Sequence, residues 1–300
     1  MSLVSHVTAA IEVAGRHGVG LAPELRSRIG RWARRPPGPP RPVSLSELER
    51  RLVELGVTRG RDLAVHSSWG AVRQVQGQPH EIVDLLQGVV GPDATLVMPS
   101  HPVPQTRDGL PLFDVERSAT NVGLLAEILR RRRGTRRGSF PIAPACALGP
   151  AAESYTRDFR EESGGTPYGR GSAWHTIAER GGQVVMLGVA PERALTLVHV
   201  AFDLLGAANP IRDYHEEQTW LVVRGGVAEP WTIRAVRRSL EKYLATYTFA
   251  RMMRKAGMVA ERTDDGLRLV WIDARRFLDW HLQVARDTGF PYWGFPKARR

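Results

Sequence analysis

The chain has 300 residues, 42% of them hydrophobic, with eight tryptophans, eight phenylalanines and one cysteine; this suits one large domain with a sizeable core and permits no intramolecular disulfide. The formal net charge of +11 sits at the ends, since residues 1–42 and 251–300 each carry a surplus of five basic side chains and residues 43–250 a surplus of one, so the near-neutral body and the lack of any nucleic-acid-binding motif argue against that class of partner. No apolar run approaches the ~20 residues that span a bilayer, and residues 1–20 lack an apolar secretory core, so no membrane partner and a cytoplasmic location are expected.

In chain order, residues 2–33 read as one or two short helices weakened by Gly15, Gly18 and Gly20. Arg34-Arg35-Pro36-Pro37-Gly38-Pro39-Pro40-Arg41-Pro42 reads as a stiff polyproline-like linker. Residues 1–42 are therefore expected as an extension, either a poorly ordered tail or the arm of a homo-oligomer, and residues 43–300 as the main domain. That domain opens at Ser44-Leu45-Ser46-Glu47, a helix start with Ser44 as cap and Glu47 three residues on.

Strands and helices then alternate. Strands are expected at 63–66, 95–98, 145–148 and 184–189, and helices at 79–90, 121–133, 173–180 and 196–205. This predicts a layered α/β/α fold with a largely parallel central sheet. A hairpin around Gly225-Gly226, a helix over 239–256, a strand over 267–272 and a helix over 274–286 form a C-terminal α+β part. The tail 289–296, with Phe290, Tyr292, Trp293 and Phe295, is aromatic enough to dock on the body.

Three segments carry chemistry. Leu63-Ala64-Val65-His66-Ser67-Ser68-Trp69-Gly70 is a strand running into a hydroxyl-bearing loop, which offers N–H groups and hydroxyls to an anion. Gly164-Gly165-Thr166-Pro167-Tyr168-Gly169-Arg170-Gly171-Ser172 is a loop able to shape a pocket. Gly181-Gly182-Gln183-Val184-Val185-Met186-Leu187-Gly188-Val189 is a turn into a buried strand, and the helix after it carries His199 near that strand's carboxyl end, where open sheets gather ligands. A histidine there can serve as a general base.

Asp203 lies four residues after His199, one helical turn along the same face, in place to orient the imidazole. His215, followed by Glu216 and Glu217, is an alternative base. Arg130 to Arg133 with Arg136 and Arg137 form either a solvated helix end or a phosphate patch. Asp114 either holds a substrate amine or caps the loop before the next helix. His101, His175 and His281 show no metal-ligand spacing, so no metal is expected. Cys146 lies in an apolar run unsuited to a nucleophile.

These segments, taken in order, resemble the aminoglycoside 3-N-acetyltransferase family. The motifs are Val65-His66-Ser67-Ser68-Trp69, then Val90-Gly91-Pro92-Asp93-Ala94-Thr95-Leu96-Val97-Met98-Pro99, then Phe113-Asp114-Val115 before Gly123-Leu124-Leu125-Ala126-Glu127. The Gly-rich loop, the Gly-Gly strand and the Thr196-to-His199 helix follow, so the resemblance covers roughly residues 45–231. Three departures stand out. Phe202 lies three residues after His199, where the family commonly has Glu. Arg137-Gly138-Ser139-Phe140-Pro141-Ile142-Ala143-Pro144 lacks the pattern's two histidines. Ala173 follows Ser172 where the family has proline.

The resemblance implies the antibiotic N-acetyltransferase fold, acetyl-CoA as co-substrate, no permanently bound cofactor and a role in antibiotic resistance. It implies His199 as the base in a direct ternary complex, with Asp203 in support. It places His66, Ser67, Ser68, Thr166, Tyr168, Gly169 and Ser172 along the donor, and Asp114 and Glu216 toward the acceptor. That acceptor is an amine of an aminoglycoside, amino sugar or related small molecule. The competing reading, prompted by Phe202, is a non-catalytic or regulatory relative that keeps the acyl-CoA-binding fold.

Overall fold

The computed structural model describes residues 2–20, 40–209, 211, 213–241 and 243–290. The polyproline-like stretch up to Pro39 and the aromatic residues Tyr292, Trp293 and Phe295 lie outside the described residues. Among those described there are thirteen strands: β1 (Val43–Ser44), β2 (Leu63–Ser67), β3 (Val75–Gln76), β4 (Leu96–Pro99), β5 (Thr106–Arg107), β6 (Leu110–Asp114), β7 (Arg136–Arg137), β8 (Ala145–Leu148), β9 (Gln183–Leu187), β10 (His215–Arg224), β11 (Val227–Val236), β12 (Ala260–Asp264) and β13 (Leu267–Asp273).

Seven of them form one sheet in the order β12-β13-β9-β2-β4-β8-β7. Within it β9, β2 and β4 are parallel, and every pair outside that centre is antiparallel. The largely parallel sheet expected from the alternation is thus parallel only in its three central strands. A helix between two strands permits a parallel crossover without requiring one, and β13 arrives through a hairpin from β12, which imposes antiparallel pairing.

Side chains alternate across this sheet. Leu63, Val65, Leu96, Met98, Val185 and Leu187 face one side and pack with Leu48, Leu52, Ile82, Leu86, Leu125 and Leu129. Those partners come from the helices Leu45–Leu55, Pro79–Val90 and Leu124–Arg131. Ala64, Val97, Val184, Met186, Val270 and Ile272 face the other side and pack with Trp174, Ile177, Val200, Phe202, Phe277 and Leu278. These come from the helices Ala173–Glu179, Leu197–Leu204 and Ala274–Thr288. The sheet thus carries an apolar cluster and helices on each of its faces, a mixed α/β fold. Among the described residues no helix is long and apolar enough to cross a membrane.

A second sheet has the order β11-β10-β6-β5. Its hairpin turns at Gly225 and Gly226, both at positive φ (57° and 82°), the backbone that a two-residue hairpin demands. The helix expected over 239–256 is two pieces, Arg238–Glu241 and Thr246–Lys255.

The helix Ser2–Gly20 docks on the second piece, so this part of the expected extension belongs to the body. Ala9 and Val13 are buried against Ala245. The Glu12 carboxylate accepts the N–H groups of Tyr247 (3.0 Å) and Thr248 (2.7 Å), two of the donors that a helix start leaves unpaired. Glu12→Ala is therefore expected to lower stability by about 1 kcal/mol, the usual worth of an N-terminal cap. Unchanged thermal unfolding would show that the helix does not dock in solution.

Candidate active site

β2 and β9 run parallel, with Ser67 opposite Leu187, so their carboxyl ends open at one edge. Gly188 lets the two loops meet there. Its φ is 71°, and a Cβ on it would lie 2.6 Å from the Ala71 Cβ. A pocket of about 390 Å³ forms at this edge. His66, Ser67, Pro99 and His101 line it from the strand ends, with Tyr168 from the Gly-rich loop. Glu192 to Thr196, Val198 and His199 close one side, and Leu244, Thr246 and Phe249 another.

His199 is half-buried. Its ring stacks on Tyr168 at 4.7 Å and 23°, and its Nδ1 lies 3.4 Å from the Tyr214 hydroxyl. Burial lowers its pKa to about 4, opposed by the Asp203 carboxylate and reinforced by His101. His66 and His101 are likewise lowered to about 4, mainly by burial, with His101 and Arg137 respectively adding to the effect. The three imidazoles of the pocket are thus neutral at pH 7.

This has a consequence for acid stability. In the unfolded chain these histidines, with His281 at about 3, return to their ordinary value near 6.5. Between those values the unfolded state binds more protons, so stability rises with pH. The contribution is fully present above about pH 6.5 and is lost progressively as pH falls toward 4. Urea unfolding at pH 7 and pH 5 is expected to show a lower midpoint at pH 5. Equal midpoints would mean that the four rings are solvated.

Asp203 does not hold His199. Its Oδ1 lies 2.9 Å from His215 Nε2, and its Oδ2 accepts the N–H of Tyr168 at 2.8 Å. The helical spacing brings it near the base, but both oxygens are engaged elsewhere. It acts on His199 without a hydrogen bond, through its charge and by fixing the loop whose tyrosine covers the imidazole. His215, the alternative base, does not line the pocket and is the partner of Asp203.

The other expected residues divide. His66 and Ser67 line the pocket. Ser68 lines a neighbouring cleft of about 990 Å³ with Gly70, Arg41, Arg73, Arg193 and Arg268. Arg193 lines both spaces. From the Gly-rich loop only Tyr168 reaches the pocket. The Thr166 hydroxyl donates to the Ser163 carbonyl at 3.0 Å, and Ser172 caps the next helix by accepting the N–H of His175. A Cβ on Gly169 would lie 2.5 Å from Thr166 Oγ1, so that residue is packed inside the loop.

Asp114 and Glu216 stand away from the pocket. Asp114 accepts the N–H groups of Glu116 and Arg117 and holds the turn after β6. Glu216, on β10, faces Arg237 at 3.8 Å. The arginine cluster is structural: Arg130 and Arg131 pair with Glu127, and Arg137 donates to the carbonyls of Val115, Ser118 and Ser100. Sequence reasoning missed His101, Glu192 and Tyr214. His101 was findable, since it stands two residues past the end of β4, as Ser68 stands one past β2.

Residues 64–284 match the family model described as aminoglycoside 3-N-acetyltransferase. The chain belongs to this family. It is 35% identical over 183 residues to aminoglycoside N(3)-acetyltransferase VII of Streptomyces paromomycinus, covering 55% of this chain and 62% of that relative, somewhat under two thirds of its length. It is 30% identical over 233 residues to aminoglycoside N(3)-acetyltransferase IV of a Salmonella species, covering 72% and 84%. The solved apoenzyme of aminoglycoside acetyltransferase AAC(3)-IVa superposes with a TM-score of 0.67 at 26% identity, covering 84% of this chain and 92% of that one.

Against this family pattern the Phe202 departure gains a structural meaning. Phe202 is fully buried among Tyr214, His281 and Phe290, on the core side of the helix that carries His199. In this aminoglycoside 3-N-acetyltransferase family member the position is an aromatic packing site.

Proposed function

We propose that this protein moves an acetyl group from acetyl-CoA to an amine of an aminoglycoside, amino sugar or related small molecule, with His199 as general base in a ternary complex. One observation carries the reading: a neutral imidazole with Nδ1 held at Tyr214 lines a pocket that shares Arg193 with a basic cleft. The relatives' names supply the acceptor class, and the family resemblance supplies the donor. In the cleft, Arg73, Arg193 and Arg268, which line it with Ser68 and Gly70, would meet the phosphates of coenzyme A.

The acceptor nitrogen attacks the thioester carbonyl and forms the amide bond. His199 takes the proton from that nitrogen through Nε2, the ring nitrogen not committed to Tyr214. The carbon–sulfur bond breaks, and coenzyme A leaves as a thiolate that takes up the proton held on His199, which restores the neutral base. A neutral base is required for this step, and burial keeps His199 neutral. The lack of a carboxylate at Phe202 does not argue for a non-catalytic relative, because that side chain belongs to the core.

Calorimetry with coenzyme A and mass spectrometry of an amine panel incubated with acetyl-CoA test the proposal. A mass gain of one acetyl group on a panel member supports it. No coenzyme A binding at millimolar concentration and no acetylated product would sink it.

A further inference from the structure

Among the described residues no carboxylate lies at hydrogen-bond distance from His199. Phe202 fills the position where the family commonly has Glu, and both oxygens of Asp203 are engaged elsewhere. Two tyrosines fix the imidazole instead. The Tyr168 ring lies over its face, with centres 4.7 Å apart and planes at 23°, an ordinary stacked geometry. The Tyr214 hydroxyl lies 3.4 Å from Nδ1. The stack sets the plane of the imidazole, and the polar contact sets its rotation within that plane. Nε2 is the nitrogen left for the pocket.

Tyr168 is itself held from the helix that carries the base. Its backbone N–H donates to Asp203 Oδ2 at 2.8 Å, and Asp203 Oδ1 lies 2.9 Å from His215 Nε2 at the start of β10. The Asp203 side chain is fully buried, so it depends on both contacts. The loop around Tyr168 has little room for another packing. A Cβ on Gly169 would lie 2.5 Å from Thr166 Oγ1 and 2.9 Å from Ser163 Cβ. Tyr168 is 8% exposed and lines the pocket beside His199, so its ring also keeps water off one face of the imidazole.

We infer that Tyr168 is a positioning residue for the base: its ring holds the plane of His199 and shields it from water, and Asp203 supports the base by anchoring the Tyr168 loop, in place of a direct carboxylate–imidazole bond. The task given to the base rests on the transferase reading above; the placement of its ring does not. The groups that face the imidazole are Asp203 on its own helix, His101 beyond β4, His281 on the last helix and the phenols of Tyr168 and Tyr214. Glu192 and Arg193 line the same pocket. Burial outweighs the Asp203 charge and keeps the ring neutral. Loss of the cover is therefore expected to raise the His199 pKa toward ~6.5.

The test follows the imidazole C–H signal of His199 by NMR in the full chain, assigned by its loss in His199→Ala, from about pH 5 to pH 8. The wild-type signal should stay flat across this window, and Tyr168→Ala should titrate within it. Gly169→Ala, which displaces the loop and keeps both side chains, should do the same and serves if Tyr168→Ala does not fold. Tyr168→Phe keeps the ring, so its signal should stay with wild type. Asp203→Asn keeps an oxygen for the Tyr168 N–H and should also stay flat, whereas Asp203→Ala loses the anchor and should follow Tyr168→Ala. In steady-state kinetics Tyr168→Ala should lower kcat by about 100-fold, the cost of a misplaced group, with the KM for acetyl-CoA unmoved.

A flat signal in folded Tyr168→Ala or Gly169→Ala would overturn the inference. A flat signal in both Asp203 variants would overturn the anchor, because removing the charge alone lowers the His199 pKa further and keeps the ring neutral. Since the titration needs no turnover, the expected shifts would support this placement even if no acetylated product were found, in which case the transferase reading alone would fall.

Discussion

Replacing His199 by alanine is expected to lower turnover by about 100- to 10,000-fold, the range for loss of a single acid–base group. Affinity for coenzyme A should change little, because the basic cleft is lined by Ser68, Gly70 and arginines and does not include His199. The size of the effect follows from what the ring alone can do. It is neutral at working pH, it lines the pocket, and its Nδ1 is already committed to Tyr214. Tyr214→Phe should cost less, since the imidazole would stay stacked on Tyr168 and lose only one long contact. Steady-state kinetics with acetyl-CoA and an acetylated panel member would measure both variants. Near-normal turnover of His199→Ala would remove it from the chemistry and move the role to His66 or His101, which share the pocket.

Phe202→Ala should be among the most destabilising single changes in the core, at about 3–5 kcal/mol for an aromatic ring removed from a packed interior. Phe202 is fully buried, with Phe290 at 4.4 Å, Tyr214 at 5.2 Å, His281 at 5.7 Å and His199 at 6.2 Å between ring centres. The cavity would remove support from Tyr214, the neighbour that holds His199. Turnover should therefore become more temperature-sensitive as well. Phe202→Glu should be worse still, because it places a carboxylate among four rings with no cation beside it. Urea unfolding of Phe202→Ala measures the effect. A loss under about 1 kcal/mol would mean that the cluster closes over the gap.

Much of the fold was legible in local pattern. The strand over 145–148 was readable because an apolar run ends at Gly149 and Pro150. The helix Pro79–Val90 begins on a proline with Glu81 in its capping box, and its apolar spacing follows. Other elements carried no such pattern. Ala260–Asp264 is an edge strand of charged and small residues that borrows its strand character from β13. β6 pairs with β10 across more than a hundred residues of chain, which no local window contains.

By itself the sequence determined the central strands and their helices, the family, and the place of His66, Ser67, Tyr168 and His199 at the pocket. These follow from periodicity, turn chemistry and motif order, all of which act over a few residues. Only the tertiary structure decided strand direction, the docking of residues 2–20 and the partners of the charged groups. Asp203 shows why. Helical spacing places it one turn from His199, but a buried carboxylate is held by whichever donors the fold brings within 3 Å, and here these are the backbone of Tyr168 and the ring of His215. Glu192 gave no sequence signal for the same reason. Its place in the pocket lining and its pairing with Arg254 are set by the elements packed around it.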